Sequence, residues 1–453
     1  MSEERDPQLN SVYDVDGKPP LEEAVPLGLQ HVLAMFAGNV TVPIIIAGAL
    51  GLAVGETTFL IQCAMLVAGI ATLLQANRIG PVGAKLPIVM GTSFGFVPTS
   101  IAIGLDYGLS GILGAAFLGG FFQVILGFFL KPLRKFFPPI VTGTVLLTIG
   151  LSLLPVGINY WAGGVGAEDF GSFQNLGLGL LVLVTVIIFN QYFKGILKMA
   201  SILIGIIVGY IAAIFMGIID FTPVAEAAWF SFPTPLQYGM SFHTPAIAAM
   251  LILFIVTTVE TVGDISGITV GGAGREATDK ELSGGIIADG LASSFAAVFN
   301  ALPNTSFSQN VGIVSLTKIM SRHVVSIGAL FLIAAALFPK LGAIIAVMPQ
   351  SVLGGAAIVM FSMIVTAGIV LVSRDNLNQR NIFIVAVALG LGLGLGSVPE
   401  ALQNFPEEVQ LIFSGSGLVI ACLTSLFLNI VLPQEKEDAP IDSGVPSGTT
   451  VNK

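Results

Sequence analysis

Charged residues are scarce in this sequence. Of its 453 residues only 10% are charged, whereas 54% are hydrophobic and the mean hydropathy is +0.92. An ordinary soluble domain has about 25% charged residues, so this chain has too few of them to form a water-facing surface over its length. The composition therefore excludes a soluble fold and indicates a protein that crosses a membrane many times.

Cysteine and histidine are almost absent as well. The two cysteines, Cys63 and Cys422, both lie inside apolar runs, and there are only three histidines. This excludes a disulfide framework and a zinc site, and we expect no metal and no cofactor. Much of the acidic charge behind the net value of −9 sits in the polar ends at 1–23 and 434–453, so it does not indicate a surface that binds nucleic acid.

The N-terminus does not have the pattern of a cleaved signal peptide. Its first 24 residues are polar and acidic, without a basic segment followed by a short apolar one. We therefore expect the first apolar segment to be a retained membrane span.

Long apolar runs fill most of the remaining chain. A helix needs about 20 apolar residues to cross the hydrocarbon core of a bilayer, and such runs predict an all-α protein with 14 spans. The predicted spans are 27–50, 57–77, 83–105, 109–130, 138–158, 175–193, 199–219, 244–271, 282–299, 303–319, 323–338, 349–372, 380–398 and 410–432. The predicted divisions are a polar N-terminus (1–24), a first seven-span unit (25–219), an extracytoplasmic connection (220–243), a second seven-span unit (244–432) and a C-terminal tail (433–453).

Lysine and arginine gather in alternate predicted loops. All 18 except Lys340 fall on one side of the membrane when both termini are placed on that side. Positive residues prefer the cytoplasmic side, so we expect a protein of the cell membrane, inner or plasma, with both termini in the cytoplasm.

Two short patterns recur about 212 residues apart. The segment 92–94, Thr-Ser-Phe, recurs at 305–307, and Pro138 with Gly143 recurs as Pro349 with Gly354. Because seven spans is an odd number, a repeat of this length is inserted upside down, which is the usual architecture of secondary transporters. The alternative is chance similarity between Gly-rich apolar helices. The repeat predicts broken half-helices at spans 3 and 10.

Few ionisable residues lie inside the predicted spans, and such residues are functional candidates because their burial in a membrane is costly. Glu260 and Asp264 lie four residues apart in span 8, Asp289 lies in span 9 and His31 lies in span 1. Two carboxyl groups on one helix face resist being ionised together, which favours holding a proton. The alternative is a polar network that ties the helices together.

The repeated segments combine small residues, hydroxyls and amides at mid-membrane positions. Unwound backbone is tolerated there only where it lines a cavity or is buried in protein, and the half-helix that follows would aim free N–H groups at a ligand. Phe94 offers an aromatic face, and Gln309 offers both donors and an acceptor. Together they favour a planar polar solute, although a single Phe is also compatible with core packing.

Four motifs resemble those of one family. The segment 309–318, QNVGIVSLTK, is similar to the signature of the nucleobase-ascorbate transporter family, in which Gln or Glu is followed by Asn, any residue, Gly, four residues and Thr. Residues 30–31 (Gln-His), 260–264 (Glu to Gly-Asp) and 288–290 (Ala-Asp-Gly) resemble its other motifs in the same order, so the resemblance covers nearly the whole chain. It implies a core of spans 1–4 and 8–11, a gate of spans 5–7 and 12–14, and often a homodimer.

The resemblance also implies residue roles. Glu260 would accept hydrogen bonds from ring N–H groups of a nucleobase, Gln309 would be the second side-chain ligand, and Phe94 would stack on the base. Backbone groups near Ser93 and Ser308 would complete the site. The residues implied for proton coupling and for shaping the site are Asp264, Asp289, His31 and Asn310.

These observations predict symport of a proton with xanthine or uric acid into the cell, by movement of the core against the gate. Within the family that the sequence resembles, Gln309 favours the branch that transports xanthine and uric acid, because the branch that transports uracil has Glu at the corresponding position. The alternatives are a uracil and proton symporter, a sodium-coupled member of the family, and an anion transporter of the same architecture. An enzyme is disfavoured because His243 and His323 lie at span ends, far along the chain from the acidic residues.

Overall fold

The computed structural model describes residues 13–129, 138–414 and 417–433. Within these residues the fold is all-helical apart from two three-residue strands and short 3₁₀ turns. The elements of the first half are α1 (Leu21–Ala49), α2 (Val54–Ala76), β1 (Met90–Thr92), α3 (Val97–Phe128), α4 (Pro139–Trp161), α5 (Phe173–Tyr192), α6 (Ile196–Met199), α7 (Ser201–Phe215) and α8 (Thr222–Glu226). Those of the second half are α9 (Thr244–Ala273), α10 (Asp279–Val298), β2 (Asn304–Ser306), α11 (Ser308–Thr317), α12 (Arg322–Ala336), α13 (Pro339–Ala346), α14 (Gln350–Val372), α15 (Gln379–Ser397), α16 (Glu407–Ser414) and α17 (Gly417–Val431).

Eight of the described helices are long and apolar enough to cross a membrane, and a ninth span results if α12 and α13, which meet at 83°, form one broken span. Helices α7 and α17 are apolar but shorter. The chain is therefore a multi-pass membrane protein, while the count of 14 spans stays a prediction.

The predicted spans differ from these helices in ways that have local causes. Segments 83–105 and 303–319 each contain a strand before a helix begins, so neither is one continuous helix. The predicted gap after residue 105 is a kink inside α3 at Gly108, whose φ of 68° only glycine adopts readily. The predicted last span corresponds to α16 and α17, and the two residues between them lie outside the described part of the chain.

Strands β1 and β2 pair antiparallel in the interior of the helical fold. The register places Met90 opposite Ser306 and Thr92 opposite Asn304. Because a buried two-stranded ribbon leaves its outer backbone groups unpaired, hydroxyls cover the edges. Thr72 Oγ1 accepts from Met90 N at 2.9 Å, and Ser293 Oγ accepts from Asn304 N at 3.1 Å.

Helix α1 supports the same ribbon through a proline. Pro43 lies inside α1 and has no N–H, so the carbonyl of Asn39 loses its intrahelical donor. Thr92 Oγ1 donates to that carbonyl at 3.1 Å, and the side-chain oxygen of Asn39 accepts from Thr92 N at 2.9 Å. The proline thus creates the acceptor that fixes the end of β1.

Small residues allow close approach in two helix pairs, α4 with α14 and α3 with α10. A Cβ on Gly143 in α4 would lie 2.6 Å from Val372 N in α14, and one on Gly368 in α14 would lie 2.6 Å from Leu147 N in α4. A Cβ on Gly290 in α10 would lie 2.5 Å from the carbonyl oxygen of Gly120 in α3. Such small-residue contacts are a common way for membrane helices to pack.

Candidate functional site

A cavity of about 100 Å³ lies where the two strands lead into helices, next to α4 and α14. Its volume is several times what one ordered water needs. Polar lining comes from the ends of the strands, from α9 and from α11, and apolar lining comes from α4 and α14. The lining residues are Thr92, Ser93, Phe94, Gly95, Leu146, Ile149, Glu260, Thr305, Ser306, Phe307, Ser308, Gln309, Met363, Ile364 and Ala367.

Glu260 of α9 brings the only carboxyl group among these lining residues, and none of them is basic. Its Oε2 atom is buried and has no hydrogen-bond partner in the described structure. A buried polar atom without a partner is costly, and buried polar atoms in proteins are nearly always paired. The position is therefore suited to accept a hydrogen bond from a ligand.

Two helix N-termini border the cavity. Helix α11 begins at Ser308, and the side chain of its N-cap residue, Phe307, makes no capping hydrogen bond. The N–H groups of the first turn, at Ser308 and Gln309, have no intrahelical acceptor. On the other side, Ser93 Oγ accepts from Gly95 N at 3.2 Å and so caps the turn that leads into α3. These ends place positive dipole character beside the cavity.

Phe94 supplies the aromatic wall of the cavity. Its ring packs edge-on against Phe361 of α14, with centroids 5.3 Å apart and planes at 86°. It is 6% exposed, so its orientation is held by packing. A fixed ring of this kind can stack on a flat ligand at little entropic cost.

Asp264 lies one helical turn from Glu260 and is held by two serines. Ser306 Oγ donates to Asp264 Oδ2 and Ser308 Oγ donates to Asp264 Oδ1, each at 2.6 Å. One serine ends β2 and the other begins α11. The carboxyl group thus fixes the junction between strand and half-helix next to the cavity.

Asp289 lies in α10 and is fully buried. Its Oδ2 accepts from Thr261 Oγ1 of α9 at 2.5 Å and from Gln123 Nε2 of α3 at 3.0 Å. These hydrogen bonds join three helices behind Glu260.

His31 and Asn310 form a separate pair. Asn310 Nδ2 lies 3.0 Å from His31 Nδ1 and donates to the backbone oxygen of His31 at 3.1 Å. Both residues are buried. The contact ties α1 to α11, one residue beyond Gln309.

The structure brings together all five residues predicted to bind substrate: Glu260, Gln309, Phe94, Ser93 and Ser308 line one cavity. Of the four residues predicted for coupling and for shaping the site, none lines the cavity. Asp264 is bonded to two serines of the strand-to-helix junction, Asp289 lies deeper, and His31 with Asn310 ties two helices.

The sequence interpretation did not identify Gln123, Thr261 or Ser306 as site residues. Ser306 lies inside the repeated Thr-Ser-Phe segment, which was a sufficient signal. Gln123 is an amide within a long apolar helix, and such a residue normally has a polar partner. Its partner Asp289 lies 166 residues further along the chain, so only the fold identifies the pair.

Comparison with known proteins shows the family to which the chain belongs. The profile of a group described as a permease family matches residues 22–401. The chain belongs to this permease family. The resemblance to the nucleobase-ascorbate transporter family is thereby confirmed, and the protein is a transporter and not an enzyme.

Two relatives and one solved structure illustrate the similarity. This permease is 42% identical over 408 residues to the uric acid permease PucK of Bacillus subtilis, covering 89% of this chain and 94% of the relative. It is 41% identical over 412 residues to the xanthine permease of the same organism, covering 89% and 92%. The transmembrane domain of the cyanobacterial bicarbonate transporter BicA shares the fold, with a TM-score of 0.59, 14% identity and coverage of 92% of this chain and 100% of that domain.

Proposed function

We propose that this permease is a proton-coupled symporter that carries a purine nucleobase, xanthine or uric acid, into the cell. The observation that carries the proposal is the buried, unpartnered Oε2 of Glu260 in a cavity without basic side chains. An inorganic anion would be repelled by this carboxyl group, whereas a nucleobase has ring N–H groups that donate to it. The names of the relatives in Bacillus subtilis support a purine as the solute.

The other lining groups complement a flat heterocycle. Gln309 offers an amide with two donors and an acceptor, Phe94 offers a ring for stacking, and the first turn of α11 offers N–H groups to ring carbonyls. The apolar side chains of α4 and α14, such as Ile149 and Met363, would cover the opposite face of the base. Each polar edge of an oxidised purine would then have a partner of the opposite kind.

The carboxyl groups behind the cavity support coupling to protons. Glu260 and Asp264 share one helix face and Asp289 lies nearby, with no basic side chain lining the cavity. A proton on Asp264 or Asp289 would remove a charge that opposes ionisation of Glu260. Ionised Glu260 is the better acceptor for ring N–H groups, so binding of the proton and of the purine would favour each other. Such coupling is reciprocal between the two ligands and is typically worth about 1 to 3 kcal/mol.

The movement proposed is an elevator-type displacement of a core against a gate. The first group of helices, α1–α3 and α9–α12, holds the strands and the polar residues. The second group consists of α4, α5, α7, α14, α15 and α17. We propose that these correspond to the core and gate of two inverted seven-span repeats, with both termini in the cytoplasm, and that two copies form a homodimer. The shared fold with BicA supports this architecture.

Uptake into proteoliposomes tests the proposed function. Labelled xanthine, urate and uracil are supplied with and without an imposed pH gradient, and with sodium replaced by potassium. We expect purine uptake that follows the pH gradient and does not depend on sodium. Preference for uracil, dependence on sodium, or no uptake of any base would each contradict the proposal at a different step.

Glu260→Gln tests the roles of Glu260 in binding and in coupling in the same assay. The variant keeps the size of the side chain but loses the charge that attracts ring N–H groups and responds to protons. A hydrogen bond to a charged group is worth about 1.5 to 3 kcal/mol, so we expect binding about 10- to 150-fold weaker and no accumulation against a gradient. Glu168→Gln, at an exposed loop position, is the matched control and should accumulate substrate normally. Accumulation by Glu260→Gln would show that Glu260 is not the coupling group.

A further inference from the structure

Two acceptor oxygens lie unpaired on neighbouring side chains behind the cavity. Asp289 and Gln123 are both 0% exposed and are joined by the bond from Gln123 Nε2 to Asp289 Oδ2 at 3.0 Å. The other oxygen of each group, Asp289 Oδ1 and Gln123 Oε1, has no hydrogen-bond partner in the described structure. An unpaired acceptor on each of two bonded groups is costly, and both would be satisfied by one shared donor.

A proton on the carboxyl group would supply that donor. A carboxylic acid and a primary amide can pair through two parallel hydrogen bonds, in which the amide N–H donates to one acid oxygen and the acid O–H donates to the amide oxygen. The first of these bonds is present between Gln123 and Asp289. A proton on Asp289 Oδ1 would form the second and leave neither oxygen unpaired.

The backbone positions the two groups for this pairing. Helices α3 and α10 touch at Gly120 and Gly290, where an added Cβ on Gly290 would lie 2.5 Å from the Gly120 oxygen and 3.1 Å from Gln123 Cβ. Gly290 directly follows Asp289, so the glycine brings the amide of α3 beside the carboxyl group of α10. Thr261 Oγ1 completes the arrangement by donating to the same oxygen as the amide.

The ionisable groups around Asp289 also disfavour a charge there. Among the described elements packed against α10, Glu260 and Asp264 of α9 are the acids at its depth, and Cys63 of α2 lies further along α10, beside Ala296. The charged groups at the ends of these elements include Arg275, which is paired with Glu281 at 2.6 Å. No described basic side chain is bonded to Asp289 to balance a negative charge.

We propose that Gln123 is a positioning residue that recognises the protonated form of Asp289 through a paired acid and amide contact. The inference rests on the proposed proton-coupled function and names the residue that stabilises the proton at this place. Gln123 does not touch the cavity, so it acts through Asp289 and not on the substrate.

Infrared difference spectroscopy of the purified full chain without substrate tests the pairing. We expect a band of a protonated carboxyl group at neutral pH that is lost in Asp289→Asn and moves to higher frequency in Gln123→Met, because the acid loses its two hydrogen bonds with the amide and keeps only the one from Thr261. Gln62→Met is the matched control, since Gln62 is also buried, at 3% exposed, and donates to the backbone oxygen of Ala336 at 2.9 Å. This control should leave the band unchanged.

Three outcomes would overturn the inference. The band could persist in Asp289→Asn, remain at the same frequency in Gln123→Met, or emerge only when sodium is removed, which would assign the two oxygens to a sodium ion. If Gln123→Met does not fold, Gln123→Asn replaces it and must also move the band, because its shorter side chain withdraws the amide from Asp289 without adding a carboxyl group. Because no substrate is present, failure here would leave nucleobase uptake untouched, whereas failure of uptake would leave the band in place.

Discussion

Replacing Gly290 by alanine should separate α3 from α10. The added Cβ would lie 2.5 Å from the Gly120 oxygen and 2.8 Å from Val124 N, and both of these are backbone atoms that cannot rotate away. To reach even a tight contact of 3.0 to 3.4 Å, the helices must move apart by about 0.5 to 0.9 Å.

This displacement would break the contact between Asp289 and Gln123. Their hydrogen bond is 3.0 Å long, and if the full displacement is transmitted it lengthens to about 3.5 to 3.9 Å, which is beyond a hydrogen bond. Overpacking costs about 1 to 3 kcal/mol, and loss of a buried hydrogen bond costs about 1 to 3 kcal/mol more. We therefore expect a loss of stability of about 2 to 6 kcal/mol, together with loss of transport.

Thermal unfolding in detergent measures this effect, with Gly312→Ala as the matched control. Gly312 is a helical glycine of α11 at which an added Cβ meets no atom within 4 Å. Alanine is favoured over glycine in a helix by up to about 1 kcal/mol, so the control should melt at or above the wild-type temperature. If Gly290→Ala melts like the wild type, the close approach of α3 and α10 at Gly290 is wrong.

Two further predictions concern polar contacts outside that helix pair. Ser306→Ala removes one of the two hydroxyls that donate to Asp264; we expect a loss of about 1 to 3 kcal/mol in thermal unfolding and reduced uptake, and a variant as stable as the wild type would contradict the role of this bond. Asp16 pairs with Lys85 at 2.7 Å and with Arg322 at 2.8 Å on the exposed side of the protein, and hydrogen bonds first from Lys85 and then from Arg322 lower its pKa below the usual 3.8. Because the pKa of Asp16 is lowered in the folded protein, its stabilising effect is fully present above the pKa of the unfolded chain and is lost only as the pH falls through the folded pKa. We therefore expect Asp16→Asn to lower the free energy of unfolding by less than about 1 kcal/mol, by the same amount at pH 5 and at pH 8. A difference in stability between the wild type and Asp16→Asn that grows from pH 5 to pH 8 would refute the lowered pKa of Asp16.

The residues of the candidate site could be selected from the sequence because they cluster in short motifs. Thr92 to Phe94, Ser308 and Gln309 lie in interrupted segments, and interruptions within apolar runs are visible without a fold. Glu260 is visible because a carboxyl group in an apolar span is rare. All of these residues line one cavity in the structure.

The contacts behind the cavity could not be predicted in the same way. Ser293 supports β2 from α10, Asn39 supports β1 from α1 and Gln123 contacts Asp289 from α3, and two of these contacts join residues more than 50 positions apart. A single polar residue in an apolar helix indicates that a partner exists, but the helix packing decides which one. The strand register also follows from the fold, because the repeat aligns Thr92 with Thr305 whereas the antiparallel ribbon pairs Thr92 with Asn304.

The boundaries of the spans could not be predicted accurately, for a different physical reason. Hydropathy responds to side chains and not to backbone direction, so a strand followed by a half-helix has the same apolar content as a span. The sharp bend between α12 and α13 likewise separates two apolar helices without a long polar loop. Gly108 lies in the predicted gap between two spans, yet the helix continues directly after it.

A structure of this permease determined with xanthine tests the central claim most directly. We expect the base between Phe94 and α14, with a ring nitrogen within about 2.7 to 3.2 Å of Glu260 Oε2 and a second polar edge at Gln309. The same experiment on Glu260→Gln should show a cavity without ordered base at the same concentration. Xanthine bound elsewhere, or bound equally well by both proteins, would contradict the assignment of Glu260 as the acceptor for the substrate.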